Sequence, residues 1–539
     1  MNKTVLILGG SLAGARQALE QAKAGNRVYL VEKYPSLGPE AMPLLEELRD
    51  AGSIQIITGA DVERVAGRDG RFAVRIRRRP SRVADGRCDG CQVCAKVCPV
   101  NLWDDAEQQL SLRTAVDTPC AGSGIYNIVK DDMPVCQATC PVNLDIRGYV
   151  GLIADGRFEE SLHRIRERLP FAGVIGRICP HPCEDACNRG RQDEPLSICK
   201  LKRFVADFEM AERGAVKIPE KAHPGDGKVA VVGAGPAGLS CAHDLAVAGY
   251  GVTVFEALPV AGGMLAVGIP AYRLPKDVLK REVDVVEALG VEIKTDTRIG
   301  RDFTIDDLFG QGFGAVFLGI GAWKSQKLRI EGEDAEGVVD GVEFLRDLNL
   351  GREVRTGVKV GVIGGGNVAM DSARSALRKG AGKVSILYRR TRQEMPANPE
   401  EIDAAEAEGI EIQYLVAPVE VLREGGRARG LRCTRMELGE PDASGRRRPV
   451  PVPGSEFDIE LDMILPAIGQ AADLSWIDSS SGIEATKAGT LSVDPDTMAT
   501  TRPGVFAGGD AVTGPDIAIR AVAAGKRAAV AIDSYLKGK

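Results

Sequence analysis

"KVAVVGAGPAGLSCAHDLA" (residues 228–246) decides the fold. A short apolar run enters a glycine turn, and a helical pattern follows at once. Gly233, Gly235 and Gly238 permit the tight turn and let the backbone approach a pyrophosphate, whose charge suits the helix N-terminus. The next apolar run ends at Glu256, where an acid accepts a hydrogen bond from a ribose hydroxyl. The stretch is the opening of a dinucleotide-binding unit, and it occurs three times. "TVLILGGSLAGARQALEQA" (4–22) and "KVGVIGGGNVAMDSARSAL" (359–377) repeat it. In each case a strand precedes the turn and a second strand follows about 20 residues on, a much stronger signal than a lone glycine motif.

The units differ in chemistry. In the third, Gly364, Gly366 and Ala369 form the turn together with Asn367, and the second strand ends in Arg389–Arg390. Arginines pair with a 2′-phosphate that an acid would repel, so this unit reads as a site for NADPH over NADH. The second unit closes only near the C-terminus, at "GVFAGGDAV" (504–512). There Gly509 and Asp510 offer a carboxylate that suits a flavin ribityl hydroxyl, after "DMILPAIGQ" (462–470). The second unit therefore reads as an FAD site, with Gly263 in its cradle, and the third is inserted into it.

The chain has 539 residues and a net charge of -6, which argues against a general nucleic-acid binder. Two arginine runs, 77–79 and 446–448, read as solvated loops or strand edges, or as docking patches for an acidic partner. No apolar run reaches the length of a membrane span, and residues 4–15 read as a strand entering a turn, not as a signal peptide. Four histidines leave little room for His-based acid–base or zinc chemistry. Eleven of the 13 cysteines precede residue 200, a clustering that speaks for metal–thiolate sites in a reducing cytoplasm. Cys241 and Cys433 stand apart and read as core residues. His181 reads as a spacer or as a support to the cluster ligands, and Trp323 as core packing or as a neighbour of the flavin.

Cys88, Cys91, Cys94 and Cys98 follow C-x2-C-x2-C-x3-C-P, the ferredoxin run for a 4Fe–4S cluster. A looser group comprises Cys120, Cys136, Cys140, Cys179, Cys183, Cys187 and Cys199. The spacing puts Cys136 four residues from Cys140, and Cys183 four from Cys187, on one face each if these stretches are helical. Around them Ile146, Tyr149 and Ile153 share a helical face, as do Phe158, Leu162 and Ile165.

These residues, together with "GGMLAVGIPAYRLPK" (262–276) and "YRRTRQEMPA" (388–397), resemble the glutamate synthase small subunit and the N-terminal part of dihydropyrimidine dehydrogenase. The resemblance implies one cluster on Cys140, Cys179 and Cys183 plus a Gln or Glu, whose place Lys202 takes here. A charged lysine cannot ligate iron, and Cys199, one turn earlier, is the expected replacement. It implies a further cluster that would use Cys136 and Cys187. The upstream cysteine pair of that cluster is missing from "IVKDDMP" (128–134), and Cys120 alone does not restore four ligands. Flavin disulfide reductases carry a cysteine pair just beyond the second FAD strand. "GGMLAVGIP" has none, so electrons need another exit, which clusters provide.

"VYLVEKYPSLG" (28–38) and "GRFAVRIRRRPSRV" (70–83) resemble the flavoprotein subunit of heterodisulfide reductase. Gly9, Gly14 and Glu32 match its FAD turn, while Ser11 replaces the middle glycine. Only one closing signature exists for two FAD-type openings. The first unit is therefore either a remnant presenting the ferredoxin loop or a second nucleotide site completed by a partner.

The expected fold is α/β multidomain. Its parts are a truncated Rossmann-like domain (1–83), a ferredoxin-like segment (84–115), a helical iron–sulfur domain (116–222), an FAD domain in two parts (223–340 and 461–539) and an NADPH domain (341–460). The expected function is electron transfer between NADP(H), FAD and 4Fe–4S clusters, to or from other subunits of a cytoplasmic redox complex, with electron bifurcation as one form it takes. The alternatives are a glutamate synthase small subunit and a non-catalytic scaffold or electron-wire subunit.

Overall fold

The computed structural model describes every residue except 1–2, 35–36, 69–70, 79–90, 92, 99–100, 104–111, 115, 118–126, 129–132, 215, 223–226, 443–444, 478–480 and 539. Cys88 and Cys120 lie outside the described residues. The chain divides into two compact units, residues 1–135 with 187–195, and residues 136–186 with 196–539.

In the first unit, β1 (Thr4–Leu8), α1 (Leu12–Lys23) and β2 (Arg27–Val31) form the β-turn-α-β expected from the glycines, and β3 (Ile54–Ile57) extends the parallel sheet in the order β1-β2-β3. Ala15, Ala18 and Leu19 of α1 pack on Val28 and Leu30 in a small core. An antiparallel hairpin follows, β4 (Ala60–Arg68) and β5 (Arg71–Arg78). Arg77 lies on its second strand, 3.3 Å from Glu63, so this part of the first arginine run is a paired strand edge.

The second unit begins with helices. α2 (Ile146–Ala154), α3 (Phe158–Arg166), α4 (Ala172–Ile178) and α5 (Ile198–Arg213) carry the expected faces, burying Ile146, Tyr149, Leu162 and Ile165. These side chains join the same continuous core as Val229, Leu239 and Val286 of the following domain. That shared core explains why the chain does not divide near residue 222.

Five parallel strands build the next sheet: β6 (Lys228–Val232), β7 (Gly251–Phe255), β8 (Glu292–Lys294), β9 (Ala315–Leu318) and, after a long excursion, a return strand at Val505–Ala507. Their order is β8-β7-β6-β9-return strand. β6 is buried over four of its five residues, as expected of a parallel strand covered on both faces. The excursion forms a second parallel sheet from β10 (Lys359–Ile363), β11 (Lys383–Tyr388), β12 (Glu411–Tyr414) and a strand at Met463–Pro466. It also forms an antiparallel layer from β13 (Val416–Glu424), β14 (Arg427–Pro441), β15 (Arg447–Pro451) and a strand at Phe457–Glu460 that pairs with β14. Met463–Pro466 pairs with β10, so the chain leaves the inserted domain beyond residue 466, not at 460.

Candidate active site

The turn after β6 keeps Gly233 at φ 100°. A Cβ on Gly238 would run into the Gly233 carbonyl oxygen, and a Cβ on Gly233 into that of Gly319, so the turn tolerates no side chain at either position. Gly235 caps the helix Pro236–Val247 without a side-chain hydrogen bond, leaving its first amides toward the cavity. Glu256 is buried, and its carboxylate accepts from the amides of Ala234 (2.7 Å) and Leu258 (2.9 Å). Burial pushes this carboxyl up, against the pull of those amides. Each carboxylate oxygen retains a lone pair for a ribose hydroxyl. Gly263, at φ 56°, packs on Gly235, where a Cβ would come within 2.8 Å of the Gly235 Cα. Gly509 (φ 71°) turns the chain into the helix Asp510–Thr513. Burial pushes the Asp510 carboxyl up to about 7.

The third turn is built alike. A Cβ on Gly364 (φ 143°) would meet the Ala467 carbonyl oxygen. Gly366 caps the helix Asn367–Arg378, and Ala369 is fully buried against the sheet. The Asn367 side-chain oxygen accepts from the Asn398 amide at 2.9 Å. One cavity of about 1170 Å³ joins the two turns, lined by Gly233, Glu256 and Asp510 at one end and by Gly364, Asn367 and Arg389 at the other. Trp323 lines it as well, so its place is the cavity wall as much as the core. The arginine pair divides. Arg389 is exposed, whereas Arg390 is buried, donating to Asp442 (2.8 Å) and to the Arg447 carbonyl (2.7 Å).

Sequence reasoning assigned no role to a buried cluster in this cavity. Arg273 lies 2.6 Å from Asp371 and 2.7 Å from Glu401. Burial pushes Asp371 up to about 7, and its Oδ1 has no hydrogen-bond partner among the described residues. A carboxylate in the middle of an otherwise core-facing helix was the signal available.

The described cysteines of the ferredoxin run flank a short helix, Val93–Lys96. Cys91 precedes it, Cys94 lies on it and Cys98 follows. In the second unit, Cys140, Cys183 and Cys199 are buried and Cys179 is half-buried. Cys140, Cys183 and Cys199 all act electrostatically on the buried Tyr149 hydroxyl. The Cys199 thiol donates a hydrogen bond to the Cys179 sulfur, which lowers the Cys179 thiol and raises its own. It also reaches the carbonyl oxygens of Gly176 (3.4 Å) and Ile175 (3.5 Å). Burial pushes Cys183 up to about 12, and the Lys202 ammonium, itself buried among these thiols, acts in the opposite sense. Four thiols beside a buried cation fit an anionic iron–sulfur cluster. No three His, Cys, Asp or Glu among the described residues converge closely enough for a single metal ion, and a cubane spreads its thiolates wider than one ion does.

The helical-face expectations for the outer pairs need correction. The helix Val135–Thr139 ends before Cys140, and Pro182–Asp185 ends before Cys187, which is extended (φ -67°, ψ 124°). Cys136 is half-buried against the helical core. Cys241 and Cys433 are fully buried core residues. His181 takes a left-handed conformation (φ 43°) with Nδ1 3.8 Å from Glu184.

With that geometry in place, comparison with known proteins gives a class. Residues 227–525 match the family described as pyridine nucleotide-disulphide oxidoreductase, and residues 129–214 match dihydropyrimidine dehydrogenase domain II, 4Fe-4S cluster. The chain belongs to the pyridine nucleotide-disulphide oxidoreductase family. It is 53% identical over 426 residues to the NADP(+)-dependent formate dehydrogenase subunit beta of Moorella thermoacetica, covering 75% of this chain and 60% of that one. It is 43% identical over 457 residues to the NADPH-Fe(3+) oxidoreductase subunit beta of Geobacter sulfurreducens, covering 80% and 67%. The glutamate synthase (NADPH) small chain of Escherichia coli is 36% identical over 428 residues, covering 75% of this chain and 89% of that one. The chain thus spans about three-fifths to two-thirds of the first two relatives. A mutant of FprA from Mycobacterium tuberculosis shares the fold, with a TM-score of 0.51, 19% identity, and coverage of 59% of this chain and 85% of that one. Among the described residues no helix is long and apolar enough to cross a membrane.

Proposed function

We propose that this chain is the NADP(H)-reacting, flavin-carrying subunit of a larger redox complex, passing electrons between NADPH and iron–sulfur clusters. The observation that carries this reading is that Ile178 and Pro180, the neighbours of Cys179, line the same cavity as the FAD-type and NADPH-type turns. FAD, when bound, exchanges hydride with the nicotinamide and electrons singly with clusters. The chain's own part is to hold and orient. Gly233, Gly235, Gly238 and Gly263 admit the pyrophosphate, Glu256 takes the ribose, and Gly509 with Asp510 takes the ribityl chain. Gly364, Gly366, Asn367, Ala369 and Arg389 hold NADPH. Cys140, Cys179, Cys183 and Cys199 hold one cluster, and Cys88, Cys91, Cys94 and Cys98 another. Cys120, Cys136 and Cys187 are candidate ligands of a third.

Relatives whose names join the same kind of chain to formate, Fe(3+) and glutamate synthase support the view that the terminal reaction belongs to other subunits. The N-terminal β1–β3 unit, with Gly9, Gly14 and Glu32, is either a truncated remnant or a second nucleotide site completed by a partner. The test is anaerobic titration of purified protein with NADPH. Bleaching of the flavin band followed by a cluster EPR signal is expected, and Cys179→Ala should keep the bleaching and lose that signal. Flavin that bleaches while dithionite-reducible clusters stay silent would overturn the reading.

A further inference from the structure

A second arginine reaches the cavity lined by Arg389 from a distant hairpin. Arg389, directly after β11, is placed where a Rossmann unit meets the adenosine ribose, and it lines the cavity. Its neighbour Arg390 is committed elsewhere. Its side chain is 6% exposed and is tied to Asp442 and to the Arg447 carbonyl. Withdrawing it toward a phosphate would break a partly buried ion pair, an expensive exchange. Those bonds have another effect. Asp442 follows β14 and Arg447 begins β15, so Arg390 fastens the hairpin to the end of the nucleotide sheet. The Asp442 amide donates to the Arg446 carbonyl at 2.8 Å, which closes the connection. Arg446 lines the same cavity as Arg389. The second member of that run, Arg447, turns its guanidinium back onto the Gly439 carbonyl at 3.1 Å. Arg446 and Arg447 therefore serve different surroundings.

We propose that Arg446 is a specificity-determining ligand of the NADPH 2′-phosphate, working with Arg389, and that Arg390 and Asp442 position it. The inference rests on the assignment of this cavity to NADPH. A phosphate monoester carries roughly 1.5 to 2 negative charges near neutral pH, and two guanidiniums from different elements match it better than one.

The test uses the full-length flavin-loaded protein and two competitive probes, adenosine 2′,5′-bisphosphate and adenosine 5′-monophosphate. Arg446→Ala should weaken the bisphosphate roughly tenfold to a hundredfold, the scale of a charge-assisted contact, and move the monophosphate less than about twofold. The KM for NADPH should rise alongside. If Arg446→Ala loses flavin, Arg446→Gln is read in its place. Arg390→Ala should reproduce part of the loss. If Arg389→Ala abolishes the preference for the bisphosphate and the Arg446 variants retain it, the role of the hairpin is overturned. If neither position matters, the assignment of the cavity to NADPH falls with it.

Discussion

The first and second glycine turns share nearly every local hydrogen bond, yet among the described residues only the second is enclosed. Gly9 stands at φ 107° and Gly233 at 100°. Glu32 accepts from the amides of Gly10 and Tyr34, as Glu256 does from Ala234 and Leu258. The Gly38 amide reaches the Gly10 carbonyl at 2.9 Å, as Gly262 reaches Ala234 at 2.8 Å. The difference lies beyond each unit's own few dozen residues. β6 is flanked by β9, and Gly319 walls the turn, whereas β1 pairs only with β2 among the described residues and nothing stands within 4 Å of a Cβ on Gly9. A dinucleotide turn is thus written locally, but its enclosure is supplied by chain from far away.

The largest expected effect tests that division directly. Gly238→Ala drives a methyl into the Gly233 carbonyl and should empty the flavin site, read as flavin absorbance per polypeptide falling to near zero. Gly14→Ala creates the same local clash against Gly9 and should leave the flavin content of the isolated chain unchanged. Equal loss from both would make the two turns equivalent and break the comparison. Loss of one flavin of two only in a native complex would show that a partner encloses the first.

The domain that carries the second turn is also braced from outside. Glu282, fully buried on the helix Lys276–Ala288, accepts from the amides of Gly173 (2.7 Å) and Val174 (3.0 Å), at the start of the helix that leads to Cys179. Burial raises its carboxyl from 4.5 to about 7. The unfolded chain therefore releases this proton first. Its contribution to stability is present below pH 4.5 and is lost as pH rises toward 7. Glu282→Gln cannot titrate and should remove about 3 kcal/mol of that fall, measured by denaturant unfolding at pH 5 and pH 8. Asp371 and Asp510, both raised to about 7, should keep a residual slope of the same sign. An unchanged slope would take the brace out of the comparison.

Much of this was legible in the sequence because turns, helical faces and thiol spacings are local. Gly233, Gly364, the faces around Tyr149 and Ile165, and the buried Cys241 and Cys433 all follow from neighbours within a few residues. What could not be read depended on distant partners. Arg389 and Arg390 look alike in sequence, and only Asp442, 52 residues on, turns one of them inward. Residues 463–466 read as part of the FAD closing segment, because buried parallel strands share one apolar signature and nothing local says which sheet they join. Cys183 and Cys187 matched a helical spacing, but the helix between them stops at Asp185.

The smallest expected effect concerns the one position of the glycine motif at which the two turns differ. Ser11 and Gly235 have nearly the same extended backbone, φ -68° and -79°, so serine costs no strain. Its hydroxyl accepts from the Gly14 amide at 3.4 Å, a long bond that satisfies a donor the second turn leaves open. Ser11→Ala should cost only about 0.5–1 kcal/mol, seen as faster amide exchange in the first turn of α1 with flavin content intact. The reciprocal Gly235→Ser should gain a similar cap but set its hydroxyl at the mouth of the cavity, weakening FAD. If Gly235→Ser binds FAD as tightly as glycine does, then Ser11 is no obstacle to a nucleotide in the first turn. In that case only the missing wall separates the two sites.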